Sequence, residues 1–361
     1  MVSISISILT KGRIDCLSPL FDAISKEIQT NNADCEVNII DDSIPDDKLQ
    51  IQKMCYDHGF NYHYFEGGIS PKRNEAIRLA QKEVIWFVDS DCEPQAGSLK
   101  AYLDSYENDS VCGMLGVVEF VGKKPFFWSV IEQAGYTNTF SFAKFMYYAL
   151  WGPCANICFR KTGLEAIGGF KEEFPYDFSG EDVDIGLRLN KQGFHIKCSP
   201  NAIVYHDTKT WLPIFPFCRK IYRWGRTDYY LMRDHYDMTF PEYPRFVSIL
   251  FFVCLLALIP GISPLLPIYF LLLVPVLTWI CRFFAKETRL KDFFTSFCSF
   301  YLKQIFELGF IFESLKHLKV HYPFKKILYG TPQLSFEISD RTNMSIGMLI
   351  ALILSLFLQY L

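Results

Sequence analysis

Val84-Ile85-Trp86-Phe87-Val88-Asp89-Ser90-Asp91 decides the fold class of this chain. An unbroken apolar run bounded by a polar turn reads as a strand buried on both faces of an α/β sheet. It delivers Asp89 and Asp91 at the point where it stops being apolar. Ligands of open α/β sheets bind beyond the carboxyl ends of the strands. Carboxylates spaced this closely repel one another unless something positive sits between them. Hard divalent cations take oxygen ligands, and Mg²⁺ is commonly held by one or two carboxylates together with substrate phosphates. Asp89-Ser90-Asp91 therefore reads as a metal–diphosphate site.

Working outward, β and α patterns alternate. Val2 to Leu9 reads as a strand, and Cys16 to Ile28 as a helix with Leu17, Leu20, Phe21 and Ile24 at helical spacing. Glu36 to Ile40 is the next strand and ends in Asp41-Asp42-Ser43. A helix over Asp46 to His58 and a short strand at Tyr62 to Phe65 precede Gly67-Gly-Ile-Ser-Pro-Lys-Arg-Asn74. Ser70 suits an N-cap and Pro71 the first helical position, so a helix is expected to run to Gln81. After Asp91 the pattern is less regular: a strand at Ala155 to Arg160, a helix opened by Gly180-Glu181-Asp182, and a strand at Ala202 to Tyr205 leading into His206. This order implies a mainly parallel sheet with helices on both faces.

Polar clusters fall at strand ends and helix starts. Asp41 and Asp42 end a strand, where an aspartate serves either a ribose or nucleobase donor or the cap of the next turn. Lys72 and Arg73 open a helix, an unfavourable place for cations unless an anion joins them; a diphosphate would. The bland alternative is a solvated basic face. Glu181 and Asp182 also open a helix, where the dipole favours the ionised carboxylate, so Asp182 suits a general base; simple capping is the competing reading. His206 ends a strand and is either structural or a further metal ligand.

In their order along the chain these pieces resemble the family 2 glycosyltransferases with the GT-A fold. The resemblance covers residues 2–206, and its most specific part is Gly169-Phe170 followed by Gly180-Glu-Asp-Val-Asp184 and Arg188-Leu189. It implies an inverting displacement at an anomeric carbon, with a nucleotide sugar (a UDP- or GDP-sugar) as donor and Mg²⁺ or Mn²⁺ as cofactor. Asp41 would contact the base and Arg73 the diphosphate. Asp89 and Asp91 would form the Asp-x-Asp motif, with Asp91 a direct metal ligand, Asp89 beside it and His206 a further ligand. Asp182 would deprotonate the acceptor hydroxyl. Thr10, Asp42, Lys72 and Ser90 complete the expected donor set, and Glu181, Arg223 and Trp224 the acceptor side. Lys11-Gly12-Arg13 departs from the family's Tyr-Asn-Arg, and Asp42-Ser43 lacks an intervening Gly.

The second half changes character. Basic and aromatic residues mix over 207–245, fitting a membrane interface. Within them Lys220-Ile-Tyr-Arg223-Trp224 looks like the Gln-x-x-Arg-Trp motif of processive polysaccharide synthases, with Lys in place of Gln. No charged residue occurs from Phe246 to Cys281, nor from Met344 to Leu361. We expect a transmembrane hairpin at 246–282, a cytoplasmic or interfacial amphipathic segment at 283–343, and a last crossing at 344–361. The N-terminus lacks the basic region and apolar core of a signal peptide, and the 12 cysteines show no CxxC pair. Both point to a domain of residues 1–206 that stays in the cytoplasm, and the uncharged segments add the expectation of a multi-pass membrane protein. The net charge of −3 gives no reason to expect a nucleic-acid partner. The expected partners are the donor, a lipid-linked or glycan acceptor, and membrane lipids. The rivals are a processive polysaccharide synthase, a non-catalytic subunit that binds a nucleotide sugar, and a nucleotidyltransferase.

Overall fold

The computed structural model describes residues 2–106, 111–173, 175–176, 179–241, 245–330 and 334–358. In chain order the strands are β1 (Ile4–Thr10), β2 (Cys35–Asp41), β3 (Asn61–Tyr64), β4 (Val84–Asp89), β5 (Cys92–Pro94), β6 (Val111–Val121), β7 (Tyr148–Ala149), β8 (Asn156–Arg160), β9 (His195–Asp207), β10 (Thr239–Pro241) and β11 (Lys325–Ile327). The α-helices are α1 (Ile14–Asn31), α2 (Pro45–His58), α3 (Ile69–Leu79), α4 (Ser98–Leu103), α5 (Phe126–Gln133), α6 (Lys161–Ala166), α7 (Glu181–Lys191), α8 (Ile214–Asp234), α9 (Phe246–Leu256), α10 (Leu266–Phe284), α11 (Phe293–Lys316) and α12 (Leu334–Leu358). They form two compact units.

The first unit comprises Met1–Lys123, Asn138–Thr210 and Tyr329–Pro332. Its sheet has the order β3-β2-β1-β4-β8-β6-β9-β5, with β7 on β9. β1 to β4 run parallel, β8 lies antiparallel to β4 and β6, and β9 is parallel to β6. The α/β sheet expected from the alternation is present, but it is mixed rather than mainly parallel, because β5, β7 and β8 pair antiparallel with their neighbours. Strand β4 shows why its sequence is apolar throughout. Val84, Trp86 and Val88 join the core beneath α1, whose Leu17, Leu20, Phe21 and Ile24 line up at helical spacing. Ile85 and Phe87 join the opposite core with Ala76 and Ile77 of α3 and Ile185 and Leu189 of α7. Both faces being covered, alternation in polarity has no place.

A polar hub crosses the middle of this sheet. Asn156 is fully buried; its Oδ1 accepts from Trp86 Nε1 at 3.0 Å and Tyr102 OH at 2.7 Å. Its Nδ2 donates to the carbonyls of Val117 and Ala202, each at 2.9 Å. Gly116 is required beside it, since a Cβ there would lie 2.2 Å from Asn156 Nδ2.

The second unit comprises Lys124–Thr137, Trp211–Leu328 and Gln333–Leu361. Residues 124–137 fall in this unit: α5 is apolar, and Gln133 at its end donates to Ser296 Oγ of α11 at 2.5 Å. The chain breaks near Pro260-Gly261, as expected, but the first arm, α9, has 11 residues. At about 1.5 Å per residue that is roughly half the ~30 Å of a bilayer core. Only α10, of 19 residues, is both long and apolar enough to cross among the described residues. Helix α12 begins at Leu334, ahead of the expected 344, so the apolar part described, Thr342–Leu358, is a shorter segment of a longer helix. Residues 359–361 of the expected crossing lie outside the described residues. The multi-pass expectation therefore reduces to one helix of sufficient length.

Replacing Asn156 by Leu would strand an indole N–H, take a donor from two buried carbonyls, and leave the Tyr102 hydroxyl only the residue-156 carbonyl at 3.3 Å. We expect a loss of unfolding free energy on the order of 3 kcal/mol or more. Urea denaturation should show the midpoint fall with an unchanged slope; a change within about 0.5 kcal/mol would remove the hub from the account.

Candidate active site

Register brings the predicted residues to one edge of the sheet. Thr10 pairs with Asp41 and Leu9 with Asp89, so β1, β2 and β4 end side by side. The chain then turns through Ser90 and Asp91 into β5, where Cys92 pairs with His206 of β9. That pairing sets Asp91 against His206, Oδ1 to Nε2 at 3.6 Å. Helices α3 and α7 contribute Lys72, Arg73, Glu181 and Asp182.

Each cation of this edge is already held by an acid. Lys72 is buried; its Nζ donates to Asp42 Oδ1 at 2.6 Å and to the Thr10 carbonyl at 3.2 Å. Lys11 reaches the other Asp42 oxygen at 3.2 Å. Arg73, buried as well, is paired with Glu181 and has Phe170 beneath it at 5.5 Å. A buried guanidinium or ammonium needs such partners. Helix α3 also starts earlier than expected, with Gly68 at the N-cap, while the Ser70 hydroxyl donates to the Tyr176 carbonyl. The expected cap at Ser70 is thus replaced by a long-range bond.

Asp41 is fully buried, and its carboxylate accepts from the Ser43 amide at 2.9 Å, the Ser43 hydroxyl, and Tyr62 OH at 2.8 Å. This is the turn-capping arrangement weighed against base contact. Thr10 Oγ1 donates to the Gly12 carbonyl at 2.8 Å. Gly12 and Arg13 both adopt left-handed backbone (φ +68° and +64°), and this turn swings the Arg13 side chain to Asp91 Oδ2 at 2.8 Å and Ser90 Oγ at 3.4 Å. Arg13 is the residue that sequence reasoning passed over; a cation in the loop after the first strand was its signal.

Among the described residues Asp89 has no hydrogen bond or ion pair to its carboxylate. Burial and then Asp91 push its carboxyl up, against Arg73, His206 and Arg13, which pull it down. Asp182 accepts from the Val183 amide at 2.8 Å. Burial, then neighbouring Glu181, push Asp182 up to about 7, with Arg73 opposing and Asp89 adding to the rise. Asp89 and Asp182 thus sense one another across Arg73.

The donor atoms of Asp91 and His206 fit a divalent cation. His206 Nδ1 stands 2.9 Å from the Asp207 carbonyl, and with the proton placed there Nε2 turns a lone pair toward Asp91. The carboxylate oxygen suits Mg²⁺ or Mn²⁺, and of these the softer Mn²⁺ better accepts an imidazole nitrogen beside it. Cys92 lies within the same cluster, its thiol pushed well above its usual range by burial and then by Asp89 and Asp91.

Other pieces of the sequence pattern fasten rather than face this edge. Asn74 donates to the Phe170 carbonyl and accepts its amide, both at 2.8 Å. Arg188 grips the carbonyls of Ile167 and Gly169 at 2.9 and 2.7 Å and pairs with fully buried Asp184 at 2.7 Å. Gly169 has φ +70°, and a Cβ on it would lie 2.5 Å from Asn74 Oδ1. Arg223 and Trp224 belong to the second unit. Arg223 is exposed, and Trp224 joins Trp211 and Tyr136 around Lys220, whose Nζ is 4.2 Å from the Trp211 ring and 5.1 Å from that of Trp224.

The sheet edge is thus rich in acids, crossed by the buried Arg73, and places Asp91 and His206 within reach of one cation. Residues 5–164 match the model of glycosyl transferase family 2. It is 24% identical over 236 residues to the O-antigen biosynthesis protein RfbC of Myxococcus xanthus, covering 57% of this chain and 17% of that protein. It is 27% identical over 161 residues to the pre-mycofactocin glycosyltransferase of Mycobacterium tuberculosis, covering 42% and 32%. Against the chondroitin synthase of Pasteurella multocida identity is 22% over 219 residues, covering 50% and 22%. The chain therefore spans less than a third of the length of these relatives. Among solved structures, a mannosyltransferase from Pyrobaculum calidifontis in complex with GDP-Man and Mn²⁺ overlays 97% of this chain and 86% of its own at 11% identity. The TM-score of that overlay is 0.46.

Arg73→Leu would leave Glu181 buried without its partner, and removing one member of a buried pair costs about 3–5 kcal/mol. Thermal and urea unfolding should register a loss on that order, with Arg73→Lys retaining part of it. A wild-type midpoint in Arg73→Leu would contradict the pairing.

Proposed function

We propose that this protein is a metal-dependent inverting glycosyltransferase that moves a sugar from a nucleotide-sugar donor to a hydroxyl. The observation that carries the reading is Asp182. It is a carboxyl at a helix start, held near neutrality by burial and by Glu181, in the same acid cluster as Asp89 and Asp91. A general base works best with a pKa near the operating pH.

In this reading the acceptor hydroxyl attacks the anomeric carbon from the face opposite the leaving group. Asp182 takes the proton, and the electron pair of the breaking C–O bond leaves with the nucleoside diphosphate. Asp91 and His206, with Asp89 beside them, would hold Mg²⁺ or Mn²⁺, which supplies charge compensation to the diphosphate when bound. Arg73 keeps Asp182 and Asp89 from rising further by placing a positive charge between them. Arg13 and Lys72 bring cationic charge to the diphosphate side, and Asp41 and Thr10 shape the nucleotide end. The donor is a UDP- or GDP-sugar. The acceptor is lipid-linked or a growing glycan at the cytoplasmic membrane face, a choice motivated by the apolar second unit.

Asp182→Asn should lower the transfer rate by roughly 10²–10⁴-fold, the usual contribution of a general base. Calorimetry should find donor and Mn²⁺ affinity unchanged in that variant, and weakened Mn²⁺ binding in Asp91→Asn. Full transfer in both variants with the correct donor would end the proposal. The sign of the pH effect follows from the raised carboxyl: below about 7 Asp182 is protonated and cannot accept a proton. The rate at saturating donor should fall about tenfold per unit as pH drops through that value and level off above it. A flat profile between about pH 6 and 8 would exclude Asp182 as the base.

A further inference from the structure

Helix α11 fails a hydropathy test for a membrane segment because it carries Lys303, Glu307, Glu313 and Lys316. Their placement says more than their number. Glu313 is fully buried and receives Arg226 Nε at 2.7 Å and Tyr230 OH at 2.8 Å, both from α8. Lys303 and Glu307 are half-buried, and Lys316 stands in the last turn. The outward residues are instead Phe294, Cys298, Leu308, Phe312 and Leu315, with Tyr301 and Ile305 half-exposed between them. They recur at alternating steps of four and three, which marks one face of a helix. The result is an uncharged stripe about 30 Å long. Meanwhile Ser296, Ser299, Gln304 and Ser314 are buried. The buried side also holds Phe300, Leu302 and Phe310, so α11 is apolar on both faces, which a water-facing helix is not.

The stripe is bounded by positive charge. Arg289 and Lys291 are exposed before the helix, and Lys316 and Lys319 are exposed at its end. Arg219 and Arg223 are exposed on α8. Helix α8 cannot be separated from α11, because their backbones touch through glycine. A Cβ on Gly225 would lie 1.9 Å from the Phe306 carbonyl oxygen, and one on Gly309 2.2 Å from that of Tyr222. Carrying α11 across a bilayer would carry the exposed arginines of α8 into hydrocarbon, which is strongly unfavourable. In the plane of the surface, the same arginines meet headgroup phosphates. We propose that α11 lies in the plane of a lipid bilayer, its stripe in the acyl chains and the arginines of α8 at the phosphates.

This inference is independent of sugar transfer and is tested without a donor. The full chain, reconstituted in vesicles of phosphatidylcholine with a third phosphatidylglycerol, carries an environment-sensitive fluorophore at one position at a time. The sites are native Cys298 (with Cys254→Ser), then Leu308→Cys, Leu315→Cys and Lys319→Cys in a chain with both exposed cysteines replaced by serine. Labels at 298, 308 and 315 should shift to the blue and lose most of their emission to lipids brominated at one shallow acyl position, all to the same extent. The label at 319 should be quenched by aqueous iodide. Iodide quenching at 298 and 308 would overturn the proposal. So would a deep label at 308 with shallow ones at 298 and 315, the signature of a crossing helix. The native Cys298 reporter keeps the test valid if a substituted chain fails to fold.

Discussion

Four carboxylates, those of Asp89, Asp91, Glu181 and Asp182, converge where the central strands of the first unit end, and their mutual repulsion constrains everything around them. Burying like charges together is tolerable only if cations are built in or protons are retained. The molecule uses both means. Arg73 pairs with Glu181 and lowers Asp89 and Asp182, Arg13 pairs with Asp91, and Asp182 still sits near 7. The same constraint explains why Lys72 and Arg73, though placed at a helix start where cations are disfavoured, are stable there. Their charges answer acids of neighbouring elements, Lys72 to Asp42 and Arg73 to Glu181.

Under the function proposed above, a diphosphate with its cation would bring both signs of charge to an edge where acids and bases are already matched. Its phosphates would take over arginine and lysine contacts while the cation took over carboxylates. Net burial of unpaired charge would then stay small. Around this edge, Asn74, Gly169, Asp184 and Arg188 supply rigidity: each bonds or packs against backbone or a buried charge, and together they tie α3 to the start of α7.

Much of the fold was legible in the chain because apolar runs and helical spacing report burial directly. β4, α1 and the acid-led start of α7 appear where pattern and capping chemistry place them. The less legible parts depend on contacts between distant residues. Ser70 looks like an N-cap, yet its hydroxyl is spent on Tyr176, and the cap moves to Gly68. Asn156 carries no local signal, because its four partners come from strands and a helix far away in the chain. The boundary at 124–137 was hidden for the same reason, since α5 resembles any short apolar helix until its partner α11 is known.

By itself the sequence determined the class of sheet, the acids and bases at the ends of its strands, and the apolar character of the second half. Those follow from local composition and period, which physical chemistry reads residue by residue. Tertiary structure alone decided which cation faces which acid, that Arg13 reaches Asp91, and that Asp182 is raised. It also decided that Glu313 of α11 is buried while an apolar stripe of the same helix is exposed. Each of these is a distance between residues far apart in sequence, and both electrostatic shifts and burial depend on that distance rather than on residue type.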